Sequence, residues 1–242
     1  MAKIKLWIKN NSWEVIVFTG IFVILFWRLG TYPNVLEKYV DFGIHPQVNK
    51  VLDKIVCPGE ITWTWIDMHQ GQAGRSPIYG GGIELGIRLF GLTLFGIRIF
   101  WAIFAFLTLI LFYQALRSFY PRNFSLIFTA LFASSPWFLS MARSGGLVGF
   151  SVSLAMLAIA MSALLVKMGK EKVILMSIAT GLSIAMIPYG YAVLRPLYPL
   201  LILWLVVSFK RIRLINMLVL LLTILAAASI QLFNLQAAFY NF

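Results

Sequence analysis

Acidic residues are concentrated in one stretch of the chain. Six of the eight aspartates and glutamates lie between positions 37 and 84, together with both histidines. The six are Glu37, Asp41, Asp53, Glu60, Asp67 and Glu84. Carboxylates gathered in one segment are candidates for general-base catalysis or for binding a hard cation. Most acidic side chains in such a stretch only solvate a surface loop, so we expect one or two of them to do chemistry.

A divalent metal is one ligand to consider for this stretch. Asp67 and His69 are the candidate metal ligands, and Asp41, His45 and Glu60 could join them. Hard or borderline cations accept carboxylate and imidazole ligands. Two histidines without a diagnostic spacing are a weak signal, and the single cysteine excludes a cysteine-built metal cluster. The sequence therefore indicates no cofactor with certainty.

Arginines near the ends of apolar segments form a second group of candidates. Arg98 begins one such segment, Arg143 ends another, and Arg195 follows a Pro-Tyr-Gly-Tyr break. Snorkelling to lipid headgroups accounts for any one of them. Three on the same side indicate a phosphate site, since a guanidinium offers two parallel donors to phosphate oxygens. Tyr189 and Tyr191 fit the same site or an aromatic belt at the membrane interface.

Several classes of function are excluded. HExxH, P-loop, GxSxG and GxGxxG patterns are absent, so the sequence offers no motif for proteolysis, nucleotide hydrolysis or serine-esterase chemistry.

The chain is 61% hydrophobic and 12% charged, with a mean hydropathy of +0.89, whereas soluble chains are about a quarter charged. A bilayer is therefore the expected solvent. In such a chain the net charge of +12 is a topology signal rather than a sign of nucleic-acid binding.

The apolar runs predict an all-α integral membrane protein with about seven transmembrane helices, in a single membrane domain over residues 1–242. The runs lie at 13–29, 97–116, 124–142, 147–166, 173–190, 192–209 and 214–233. The first is predicted to be a retained helix, because it ends in Trp27 and Arg28 without a small-residue cleavage site. Residues 30–96 are predicted to form an exoplasmic loop with short interfacial helices, one of them over 77–91, because prolines and charges disfavour a crossing.

Cations set the predicted orientation. The N-terminus and the segments 117–123, 167–172 and 210–213 carry 11 lysines and arginines against two acids. These segments alternate along the chain as the positive-inside rule requires. We therefore expect a plasma-membrane protein with a cytoplasmic N-terminus and an exoplasmic C-terminus. The acid-rich loop and the three arginines then share the exoplasmic side.

Small residues are expected where helices approach one another closely. In a membrane, helix contacts favour glycine, alanine and serine because these residues let backbones come together. The candidates are Gly149, Ser153 and Ala160 in the fourth predicted helix and Ala226, Ala227 and Ala228 in the seventh.

The chain resembles the C-type (GT-C) membrane glycosyltransferases of the protein O-mannosyltransferase and aminoarabinose-transferase group. The elements that carry the resemblance, in chain order, are Ser76-Pro77, Leu89-Phe90-Gly91, Arg98, Arg117 to Arg122, Ser135-Pro136, Arg143, Tyr189, Tyr191, Arg195 and Pro199. The resemblance covers essentially the whole chain, which corresponds to the N-terminal seven-helix module of that superfamily only.

The resemblance implies inverting transfer of a sugar from a polyprenyl-phosphate donor at the exoplasmic face. Asp41 corresponds to the general base that activates the acceptor hydroxyl, and Glu37 is the runner-up. Cationic and hydroxyl groups would surround the departing lipid phosphate and stabilise its charge. The corresponding residues here are Arg75, Arg98, Arg143, Tyr189, Tyr191 and Arg195. Phe42 follows Asp41 where the family has a glutamate.

A second interpretation stays open, in which the chain is a non-catalytic structural subunit of a larger membrane protein complex. Phe42 and the lack of a counterpart to the family's C-terminal half favour it. A small transporter is a weaker third interpretation, because the predicted helices carry almost no ionisable residues at mid-depth. Membrane lipid is an expected partner in each case, other membrane subunits in the second, and nucleic acid in none.

Overall fold

The computed structural model describes residues 11–31, 77–168, 173–187 and 196–240, and most of these residues are helical. The α-helices in these ranges are α1 (Ser12–Phe26), α2 (Pro77–Phe90), α3 (Leu94–Phe119), α4 (Arg122–Ser134), α5 (Pro136–Ser144), α6 (Leu147–Met168), α7 (Ile174–Ala185), α8 (Leu197–Val207) and α9 (Leu214–Tyr240). A single 3₁₀ turn, Phe209–Arg211, lies between α8 and α9.

All seven predicted apolar runs contain helix, which confirms the all-α prediction for the described part of the chain. By length and composition, α3 and the Val148–Met168 part of α6 can each cross a membrane, and α4 with α5 forms a third candidate. Four other helices are apolar but shorter, namely α1, α7, α8 and the Leu214–Ala227 part of α9. The fold is therefore all-helical with two or three long apolar helices and several shorter ones, which is compatible with a membrane protein.

The prediction of one uninterrupted helix over 124–142 is wrong. The chain bends by 63° between α4 and α5. Pro136 opens α5, and a proline disfavours helical backbone at the residue before it. Ser135 is accordingly extended (φ −60, ψ 132), and its hydroxyl accepts a hydrogen bond from the Phe138 amide at 3.3 Å. The Ser-Pro pair thus ends one helix and caps the next.

The helix predicted over 77–91 is present as α2, Pro77–Phe90, and it is packed into the protein core. One of its faces, with Tyr79, Ile83 and Ile87, is buried against α3 and α6. The backbones of α2 and α3 are so close that a Cβ atom on Gly86 would lie 1.9 Å from the carbonyl oxygen of Gly96. Only glycine fits such an approach. The preceding part of the predicted loop, residues 32–76, lies outside the described residues.

The small-residue prediction is confirmed at Gly149, where a Cβ atom would lie 1.9 Å from the carbonyl oxygen of Met141. Ser153 and Ala160, on the same helix, are also buried. In the seventh predicted helix Ala226 is exposed and Ala227 is half-buried, and the side chain of Ala228 lies outside the described residues. The contact between α7 and α9 instead uses Gly181, whose Cβ would lie 2.8 Å from the Cβ of Thr223. The side chain of Thr223 on α9 occupies the space that a side chain on Gly181 would need.

Polar side chains lie inside the helix bundle while many large apolar ones face outward. Buried hydroxyls donate to carbonyls of their own helix, such as Thr129 to Ser125 at 2.8 Å and Ser153 to Gly149 at 3.0 Å. Leu131, Leu175 and Val207 are among the most exposed residues. A soluble monomer rarely exposes so much contiguous apolar surface, whereas lipid solvates it and small hydroxyl residues serve helix contacts.

Candidate functional site

Arg98 is buried in the first turns of α3. Its side chain is 2% exposed, and its Nη1 donates a hydrogen bond to the carbonyl oxygen of Leu29 at 3.0 Å. Leu29 lies just after α1, 69 positions earlier in the sequence. Burying a guanidinium is costly unless its N–H groups have acceptors, and a carbonyl at a helix C-terminus is such an acceptor because the helix itself leaves it unpaired.

Arg143 reaches the same place from the last turn of α5. It is 9% exposed, and its Nη2 donates a hydrogen bond to the carbonyl oxygen of Trp27. The carbonyls of Trp27 and Leu29 are two residues apart, so the two guanidinium groups lie side by side at the C-terminal end of α1. The negative end of the α1 dipole favours cations at this position.

The end of α1 is shaped by a residue that was not predicted as part of the site. Arg28 lies between the two acceptor carbonyls and has a left-handed backbone with φ +53. A non-glycine residue in this conformation costs roughly 1–2 kcal/mol, and here it ends the helix while Trp27 and Leu29 meet the two arginines. The exposed Arg28 side chain adds a third cation. Its position at the end of the first apolar run was the only signal in the sequence.

Tyr79 of α2 fixes the turn between α5 and α6, next to Arg98. Its hydroxyl donates a hydrogen bond to the carbonyl oxygen of Gly145 at 2.6 Å, and its ring stacks on Trp101 with a centroid distance of 5.4 Å. Gly145 has φ +68, and a Cβ on it would lie 3.0 Å from Cγ of Arg98. The turn therefore closes directly over the aliphatic part of the Arg98 side chain.

Of the predicted site residues, the structure describes Arg98 and Arg143 and brings them together. The remaining predicted site residues lie outside the described ranges. They are the candidate bases Asp41 and Glu37, the candidate phosphate ligands Arg75, Tyr189, Tyr191 and Arg195, and the candidate metal ligands Asp67 and His69. Among the residues that the structure does describe, no three histidine, cysteine or acidic side chains are grouped so as to hold a metal ion.

A second polar cluster, absent from the predicted site, lies at the other end of the bundle. The carboxylate of Glu14 on α1 accepts hydrogen bonds from Arg122 on α4 and from the Tyr113 hydroxyl on α3, the latter at 2.9 Å. Arg117 Nη1 lies 3.9 Å from the same carboxylate. Along α3, Arg98 and Arg117 are 19 residues apart, which is about 28 Å of helix. The two clusters thus lie at opposite ends of α1 and α3.

The fold and the paired arginines define the class of protein as an all-helical chain, compatible with a membrane, in which two buried arginines meet at one end of the bundle. Compared with known proteins, the chain matches no family model, no curated protein and no solved structure. Its activity is therefore inferred from its own residues.

Proposed function

We propose that the protein is an integral membrane glycosyltransferase of the C type, which transfers a sugar from a polyprenyl-phosphate donor at the exoplasmic face. The observation that carries the proposal is the pairing of Arg98 and Arg143 at one end of the bundle. Two adjacent guanidinium groups concentrate positive charge where an arginine fork matches phosphate oxygens. They lie beside the point where the chain leaves α1 for the acid-rich stretch.

In the proposed reaction Asp41 removes the proton from the acceptor hydroxyl, with Glu37 as the alternative base. The acceptor oxygen attacks the anomeric carbon of the sugar, and the bond from that carbon to the phosphate oxygen breaks. The bonding electrons leave with the polyprenyl phosphate, which gains negative charge. Arg98 and Arg143 stabilise that charge as it develops, assisted by the other predicted phosphate ligands, Arg75, Arg195, Tyr189 and Tyr191.

The proposed topology has seven spans, a cytoplasmic N-terminus and a plasma-membrane location. The outward-facing apolar side chains support a lipid environment. The placement of Arg98 and Arg143 at one end, with Arg117 and Arg122 at the other, fits the alternation of basic segments along the chain. In this orientation the paired arginines face the exoplasmic side.

The test is sugar transfer from a polyprenyl-phosphate-linked donor by the purified chain in proteoliposomes. Asp41→Asn should lower the rate by about 10²-fold or more, because a general base contributes on that order. Asp53→Asn is the matched control, since it removes another carboxylate of the same stretch that has no assigned role. Loss of activity in Glu37→Gln but not in Asp41→Asn would move the base to Glu37. Full activity in both variants would overturn the proposal.

A second candidate function, a structural subunit of a membrane complex, is favoured by the bonds that the arginines make. Both guanidinium groups donate to carbonyls just after the end of α1, which is a structural role that needs no substrate. Purification in mild detergent distinguishes the two functions. A stoichiometric partner chain together with absence of transfer supports the subunit, and a chain that runs alone and transfers sugar excludes it.

A further inference from the structure

A groove with a cavity volume of about 520 Å³ lies between α1 and α3, at the end of the bundle away from Arg98 and Arg143. Its walls are one face of each helix, running from Asn11 to Phe22 on α1 and from Phe106 to Arg117 on α3. Each wall covers 12 residues, so the groove is about 16 Å long. The volume lies within the range of small-molecule sites in proteins.

The polarity of the groove changes along its length. Glu14 and Arg117 line one end, and the aromatic and aliphatic side chains of Phe18, Phe106 and Ile110 line the rest. Phe22, at the apolar end, is 46% exposed, so the groove is open to the surroundings of the bundle. A ligand that fits has a polar head and an apolar tail and enters from the side of the helices.

The polar end carries a net positive charge. Arg122 binds the Glu14 carboxylate through two of its nitrogens, and Tyr113 donates to the same carboxylate. Arg117 lies at 3.9 Å from Glu14, near the limit of an ion pair, and its side chain is 44% exposed. One carboxylate thus faces two guanidinium groups, which leaves one positive charge at the groove mouth. An anionic lipid headgroup would neutralise this positive charge.

The lining of the groove favours an acyl chain. The groove is about 16 Å long, and beyond its polar end it is lined mainly by phenylalanine, valine and isoleucine side chains. A flexible hydrocarbon chain follows such a surface and buries its methylene groups against the phenylalanine rings.

We propose that this groove binds an anionic phospholipid, with one acyl chain between α1 and α3 and the phosphate at Arg117. In the proposed topology the site faces the cytoplasmic leaflet. It is distinct from the paired arginines and does not depend on transferase activity. The bound lipid lies over the ring contacts of Phe18 and Phe22 with Phe106 and adds to the packing of α1 on α3.

The test uses the full-length chain, purified in detergent and stripped of lipid, and counts bound lipids by native mass spectrometry. Phosphatidylglycerol and phosphatidylcholine with identical acyl chains are the probes. The unaltered chain should bind one phosphatidylglycerol with about tenfold preference, the scale of one charge-assisted contact. Arg117→Gln should abolish the preference but keep weak binding of both lipids. Ile110→Trp, which fills the groove, should remove both.

Two controls make the same chemical changes elsewhere. Arg211→Gln removes an exposed cation outside the groove, and Leu107→Trp adds a ring to α3 at a residue that does not line it. A second variant is used if Arg117→Gln does not yield a helical, monodisperse protein. Gln114→Glu places a negative charge at an exposed position of the groove mouth, where it offsets the charge of Arg117, and it should also weaken phosphatidylglycerol binding. Equal binding of both lipids by the unaltered chain, or equal effects of Leu107→Trp and Ile110→Trp, would overturn the proposal.

Discussion

The carboxylate of Glu14 accepts two hydrogen bonds from Arg122, a residue 108 positions further along the chain. The Nε contact measures 2.5 Å, and the Nη2 contact completes a two-pronged pair. This pair fixes the start of α1 to the start of α4, while Arg98 and Arg143 fix its end. The first helix is thus held by polar contacts at both ends and by phenylalanine rings between them.

Removing the Glu14 carboxylate should destabilise the protein. Glu14→Gln keeps the shape but replaces a two-pronged ion pair by a weaker hydrogen bond, so the melting temperature in detergent should fall. Arg122→Gln should have a similar effect, and the double variant should be little worse than either. Glu84→Gln is the control, since its pair with the exposed Arg88 is an i,i+4 contact worth about 0.3–0.5 kcal/mol. Strictly additive effects would show that the two residues are not coupled.

Replacement by alanine should lower the stability of the protein at one glycine of α2 and raise it at another. Gly86→Ala places a methyl group 1.9 Å from a backbone oxygen of α3, and separating the helices should cost about 1–3 kcal/mol or more. A Cβ on Gly81 meets nothing within 4 Å, so Gly81→Ala should raise stability by about 0.5–1 kcal/mol through helix propensity. Thermal unfolding of both variants measures the difference. Equal stability of the two would contradict the close approach of α2 and α3.

Arg98 and Arg143 should be energetically coupled. Each donates to a carbonyl at the end of α1, and loss of such a charged hydrogen bond costs about 1.5–3 kcal/mol. In a double-mutant cycle, Arg98→Gln and Arg143→Gln together should cost about 1 kcal/mol more than the sum of the two single changes. Each single change already relieves the whole repulsion between the two like charges, and the double change relieves it only once. The exposed Arg213→Gln serves as the reference and should have no effect. A coupling of zero would contradict the side-by-side arrangement.

The Tyr79 hydroxyl should contribute to stability through the turn between α5 and α6. Tyr79→Phe keeps the ring stacked on Trp101 but leaves the Gly145 carbonyl without this donor. The loss of a buried hydrogen bond should cost about 1–3 kcal/mol. Tyr120→Phe is the matched control, because Tyr120 is 52% exposed. A comparison of unfolding temperatures checks both, and indistinguishable values would argue against a buried hydrogen bond.

The helices could be predicted from the sequence because apolar runs in a membrane chain have few alternatives to helix. The bend at Pro136 was missed because hydropathy averages over the run and hides one proline. The Gly149 contact was predicted from residue size, but the equally close approach of Gly86 to Gly96 was not. Residue size alone does not identify which small residues face another backbone. Ala226, for example, is small but exposed.

That Arg98 and Arg143 lie at the same end of the helix bundle could be predicted, since the alternation of helices sets which helix ends coincide. Their two acceptor carbonyls at the end of α1 could not be predicted, because hydrogen bonds to backbone carbonyls leave no pattern in the sequence. The same holds for Glu14 and Arg122. Glu14 was counted only as one charge among the basic residues of the N-terminal side, and its partner is identified only by how α1 packs against α4.

The proposed orientation can be tested with the chain's single cysteine, Cys57. In the proposed topology Cys57 belongs to the exoplasmic loop, so a membrane-impermeant maleimide should label it in intact cells. A Cys57→Ser, Lys210→Cys variant moves the thiol to an exposed position in a basic segment, which the positive-inside rule assigns to the cytoplasm. That variant should be labelled only after the membrane is permeabilised. The reverse pattern would invert the orientation, and it would move Arg98 and Arg143 to the cytoplasmic face, against the proposed exoplasmic site.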